Sequence, residues 1–132
     1  MDKALQYLGI ARKAGKLALG ENDCEAICTA GKARLMLLAA DASPNVNKCA
    51  RNYLQGRRAV SMVLPYTKAD LGAVLGRASC GMVCLTDLSL AARFAAAMAE
   101  TDEEWNPTAE LLSVRDSKAQ KRKAAPHKHD NR

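Results

Sequence analysis

A chain of 132 residues is long enough for one domain with a real core and too short for two of ordinary size. Its composition, 48% hydrophobic and 26% charged, is that of a folded domain and excludes a wholly disordered chain, which would be poorer in Val, Ile and Leu. A net charge of +6 points toward a polyanionic partner, such as nucleic acid or an anionic surface, without saying where it binds.

In chain order the punctuation alternates between helix and strand. Leu5, Leu8 and Ala11 stand three apart within Asp2 to Ala14, a helical stripe that Gly15 closes. Lys16 to Leu19 reads as a short extended piece ending at Gly20. Glu21 to Ala30 opens with Glu21, Asp23 and Glu25, which complement a helix dipole, and is followed by Gly31. Leu35 to Ala40 is continuously apolar, as a strand covered on both faces would be. Ser43 before Pro44 is an N-cap with proline at the first helical position, opening a helix that runs to Asn52 or Leu54.

Beyond Gly56, Ala59 to Leu64 is a second apolar strand, ended by Pro65. Thr67-Lys68-Ala69-Asp70 is a capping box with a short acid, starting a helix that stops near Gly76. The loop Gly76 to Gly81 leads into the strand Met82 to Leu85, and Leu88 to Met98 is a helix lined with alanine. Strands alternating with helices long enough for crossovers predict an α/β domain in three layers.

Charge is unevenly spread. Residues 1–99 carry 13 basic and 7 acidic side chains, residues 100–112 five acidic and no basic ones, and residues 113–132 seven basic and two acidic. This predicts an α/β domain over 1–99 and, over 100–132, an acidic segment followed by a mobile basic tail. From Ser117 onward the chain has no apolar periodicity and only alanines to bury, too little to offset its ordering entropy.

Apolar runs such as Leu35 to Ala40 fall far short of the ~20 residues of a membrane helix. The N-terminus has neither a basic region nor a following apolar stretch of secretory type, so a cytoplasmic protein without a membrane partner is expected. Five cysteines, Cys24, Cys28, Cys49, Cys80 and Cys84, are an odd number outside a secretory context and read as reduced thiols in the core. Cys24 and Cys28 stand at i, i+4, but no second pair is placed to complete a structural zinc site, and no metal or cofactor is expected.

Enzyme templates fail. The only histidines, His127 and His129, lie in the tail, away from every thiol. Neither G-x-G-x-x-G nor G-x-x-x-x-G-K-[ST] occurs. What remains is the stretch Lys16 to Glu25. A strand delivers Gly20, glycine lets backbone approach a ligand, and the amides of the next helical turn can meet phosphate oxygens. Asn22 offers a donor and an acceptor to a base edge, Asp23 an acceptor, and Arg12, Lys13 and Lys16 positive charge. The same residues also fit an ordinary helix start with acidic first-turn side chains.

Gly20-Glu21-Asn22-Asp23-Cys24-Glu25-Ala26-Ile27, followed by Gly31-Lys32-Ala33-Arg34, the apolar run and Ala39-Ala40-Asp41-Ala42-Ser43-Pro44, resembles the L7Ae-type ribosomal-protein family. Its pattern there is G-x-N-E-x-x-K, a glycine, a basic residue, an apolar strand and A-x-D-x-x-P. Tyr66 to Gly72 and Gly76 to Gly81 resemble the family's later helix start and loop, and Leu8 to Lys16 most resembles small bacterial, YlxQ-like members. The resemblance covers about residues 3–99.

The resemblance implies a three-layer α/β/α sandwich with a small mixed sheet that binds structured RNA, a kink-turn with sheared G·A pairs or a related motif in ribosomal RNA; a non-enzymatic monomer with the ribosome as a further partner is expected. By position, Gly20 and Glu21 would give backbone contacts, Asn22 and Asp23 would face guanines, and Arg77, Ala78 and Ser79 would cover a flipped nucleotide. Three positions depart from the pattern: Asp23 replaces the family's Glu, Ala26 its Lys, and Ala30 the basic residue before the glycine. Lys13, Lys16, Lys32 and Arg34 would then supply phosphate contacts. The alternative reading is a ribosome-associated protein-interaction module without base readout, docking through helical faces or the acidic segment around Trp105.

Overall fold

A computed structural model describes residues 2–124. The elements are α1 (Lys3–Lys13), β1 (Leu17–Leu19), α2 (Glu21–Thr29), β2 (Leu35–Leu38), α3 (Pro44–Leu54), β3 (Val60–Val63), α4 (Lys68–Leu75), β4 (Met82–Leu85), α5 (Leu88–Ala99), a 3-10 turn (Glu103–Trp105) and α6 (Asn106–Ala124). Every element expected up to residue 99 is present, because its boundaries are set by local chemistry. Ser43 accepts the Val46 amide ahead of Pro44, and Thr67 and Asp70 form the reciprocal capping box at 3.0 and 3.1 Å.

The strands form one small mixed sheet in the order β1-β4-β2-β3. β4 runs antiparallel to both β1 and β2, and β3 runs parallel to β2. The sheet therefore has two distinct ends. The upper end holds the finish of β1, β2 and β3 and the start of β4; the lower end holds their starts and the finish of β4.

β2 is buried along its whole length, and its side chains divide between two cores. Leu35 and Leu37 face a large cluster with Leu8 of α1, Leu71 and Leu75 of α4, and Phe94 of α5. Met36 and Leu38 face a smaller cluster with Cys24 and Cys28 of α2 and Ala50 of α3. Helices thus cover both faces, the expected three-layer sandwich. The continuous apolar run follows from this, since a strand with no solvent face has no position for a polar residue. Cys24, Cys28, Cys80 and Cys84 are buried as expected, whereas Cys49 is only half-buried.

Residues 100–124 differ from the expectation. Trp105 is 1% exposed and meets Phe94 edge to face at 5.7 Å, and Leu112 of α6 lies fully buried in the large core. The change of charge near residue 100 therefore marks no packing boundary. The expected mobile tail is helical as far as Ala124, and the expected basic residues beyond it, with His127 and His129, lie outside the described residues. α6 is held by tertiary contacts that composition does not report. Thr108 donates to the Met62 sulfur at 3.3 Å, Arg115 to the Arg58 carbonyl at 2.9 Å, and Asp116 accepts from Ser89 at 2.7 Å. Among the described residues no helix is long and apolar enough to cross a membrane.

Candidate functional site

At the upper end, β1 hands over to α2 through Gly20, with φ 88° and ψ 168°, a conformation open essentially to glycine alone. The Gly20 amide donates to the Met82 carbonyl at 2.8 Å, which ties the corner to the start of β4. Gly20 brings no side-chain cap, so the first-turn amides of α2 lack the partner that Ser43 or Thr67 supplies elsewhere. Asn22 and Asp23 follow with exposed side chains, and Glu21 is half-buried.

The loop after α4 folds back beside this corner. A β-carbon on Gly72 would lie 2.6 Å from the Arg77 carbonyl oxygen and 2.9 Å from backbone atoms of Ala78 and Ser79, so the loop rests directly on α4. The Arg77 guanidinium comes within 3.9 Å of the β-carbon position of Gly20, and that of Arg12 within 3.8 Å of the corresponding position on Gly76. Burial pushes the Cys80 thiol above its ordinary range; the Met82 backbone, the Arg77 charge and the Gly20 backbone act in the opposite sense. Arg77 therefore stands beside Gly20, and Asn22, Asp23, Arg77, Ala78 and Ser79 are all exposed. Asp23 and Ala26 also line a groove of about 280 Å³ that descends along the free edge of β1 to Gly15 and Thr86.

The other expected cations are elsewhere. The Lys16 carbonyl accepts from Thr86 at 3.0 Å and the Arg34 amide donates to Leu85 at 2.9 Å, both at the lower end, whereas Gly20 bonds Met82 at the upper end. The three residue steps of β4 between these points span about 10 Å. Lys13 ends α1 and Lys32 follows α2, again at the lower end. Closeness in sequence had placed Lys13 and Lys16 beside Gly20, but β1 lies between. Arg12, which the sequence offered only as general charge, reaches the loop after α4.

One further expectation changes. Trp105 is enclosed in the core and presents no docking surface. Among the described residues no three His, Cys, Asp or Glu side chains gather as a metal site, and the Cys24 thiol donates to the Ala18 carbonyl at 3.7 Å within the smaller core.

Among solved structures, the fold is similar to that of a protein of unknown function from Bacillus halodurans C, with a TM-score of 0.67 and 23% identity over 74% of this chain and 97% of that one. With its helix-covered mixed sheet and a glycine corner under the loop after α4, the chain matches the ribosomal protein L7Ae/L30e/S12e/Gadd45 family over residues 2–90, and it belongs to that family.

Proposed function

We propose that this ribosomal-type RNA-binding protein recognises structured RNA, a kink-turn or a related motif, without catalysing a reaction. The observation that supports this reading is the approach of Arg77, from the loop after α4, to Gly20, the residue that leads into the exposed Asn22 and Asp23. Gly20 lets RNA backbone approach the first turn of α2, Asn22 and Asp23 offer polar groups to guanine edges, and the loop closes over an unstacked nucleotide. Asp23 is one methylene shorter than glutamate and Ala26 carries no charge, so shape and phosphate contacts supply more of the affinity here than base readout does.

The test compares binding to a kink-turn RNA with binding to the same RNA after its G·A pairs are changed to Watson–Crick pairs. A clear preference for the kink-turn, reduced in Asn22→Ala and Asp23→Ala, is expected; equal affinity for the two RNAs overturns the reading.

A further inference from the structure

Below the sheet, at the end away from Gly20, α6 closes over the starts of β2 and β3 and leaves a cleft of about 550 Å³. Arg34, Arg58, Arg115, Lys118, Arg122 and Lys123 line it. None of the six lies within 4 Å of a carboxylate among the described residues, where the ion pair is Lys3 with Glu100. The acid on the cleft wall, Asp87, is occupied as the N-cap of α5, accepting the Leu90 amide at 3.1 Å. Asp116 on α6 accepts from Ser89 and Gln120. Burial lowers the pKa of Arg115, and the neighbouring Arg58 charge lowers it further. Like charges have been gathered without neutralisation.

We propose that this cleft is a second RNA contact, one that grips the sugar–phosphate backbone without reading sequence. Arg115, Lys118, Arg122 and Lys123 fall at i, i+3, i+7 and i+8 and so share one face of α6. Arg115 and Arg122 are about 10 Å apart along the helix axis, too long a strip for a single phosphate and suited to successive ones. No aromatic side chain lines the cleft, so it offers no stacking platform for bases. α6 lies wholly beyond residue 90, where the family match ends, so four of the six cations come from outside the matched domain. Lys13, Lys16 and Lys32 extend the same basic end. The inference rests on the RNA-binding reading but not on the Gly20 corner.

The test is the triple substitution Lys118→Gln, Arg122→Gln and Lys123→Gln in the full chain, with circular dichroism and the thermal midpoint as controls for folding. All three side chains are exposed, and α6 stays anchored through Leu112. Binding is measured across a salt series to the kink-turn RNA and to its Watson–Crick counterpart. The expected result is a loss of affinity of about tenfold or more for both RNAs, with a slope of log K against log salt shallower by about 2. Unchanged affinity and slope overturn the inference, even where Asn22→Ala still abolishes kink-turn preference. Equal wild-type binding to both RNAs, with a slope that depends on α6, removes the corner reading and supports the cleft. A wild type that binds neither RNA overturns both readings. Unchanged RNA binding with lost binding to phosphatidylserine vesicles overturns the inference in favour of a membrane surface.

Discussion

The Arg77 guanidinium nitrogen Nη1 stands 3.9 Å from the place a β-carbon on Gly20 would occupy, so residues 57 positions apart in sequence form one surface. Room for a methyl group exists there; the backbone angles are the obstacle. Gly20→Ala is expected to cost about 1–3 kcal/mol of stability through the φ of 88°. Urea unfolding of the two proteins measures this, and a loss below ~0.5 kcal/mol would show that the corner relaxes freely.

Gly72→Ala provides the contrasting case. In an unencumbered helix the change stabilises by up to about 1 kcal/mol. Here the new methyl group would sit 2.6 Å from the Arg77 carbonyl, against backbone that has no rotamer to yield. The expected outcome is destabilisation by about 1–3 kcal/mol together with weaker RNA binding, because the loop must lift off α4. A raised thermal midpoint with unchanged RNA affinity would contradict the placement of residues 77–79.

The parts of the fold legible in the sequence are those written in local chemistry. Ser43-Pro44, Thr67 to Asp70 and the run from Leu35 each specify their element within a few residues. α6 was hidden because its evident feature is charge, while its stability comes from Leu112 entering a core built by distant elements and from Arg115 reaching the Arg58 carbonyl. Charge reversal at residue 100 reports solvation and not burial. The candidate site was legible in the same uneven way: Gly20 to Asp23 is contiguous and can be named from the sequence, but cations are not placed by proximity in sequence. A strand of three residues suffices to carry Lys16 to the far end of the sheet.

Leu112→Ala tests the inclusion of α6 in the core. Removal of a fully buried leucine side chain is expected to cost about 2–5 kcal/mol, as in the core of any domain. A chain ended after residue 99 would also lose Trp105, leave Phe94 without its ring partner, and fail to unfold cooperatively in urea. A cooperative transition at the wild-type midpoint would restore residue 100 as a domain boundary.

Thiol chemistry should divide the five cysteines. Cys49 is half-buried and is expected to react first with a thiol reagent, while Cys24, Cys28, Cys80 and Cys84 react only as the protein unfolds. Burial pushes the Cys84 thiol up to about 12 from its ordinary 9.0, so the unfolded chain releases this proton first as pH rises. The associated stability is complete below pH 9 and is lost between pH 9 and 12, which denaturation midpoints across that range would detect. Rapid labelling of four or five thiols in the folded protein at neutral pH would contradict the packing of the smaller core.

β2 presents Leu35 and Leu37 to one layer and Met36 and Leu38 to the other. α2, which carries the Gly20 corner, leans on one of these faces, and α6, which roofs the basic cleft, belongs to the opposite one. Four residues are thus the common keel of the layers that carry the two surfaces. Neither layer can be peeled away while the other keeps its floor, so injury to either face reaches both surfaces.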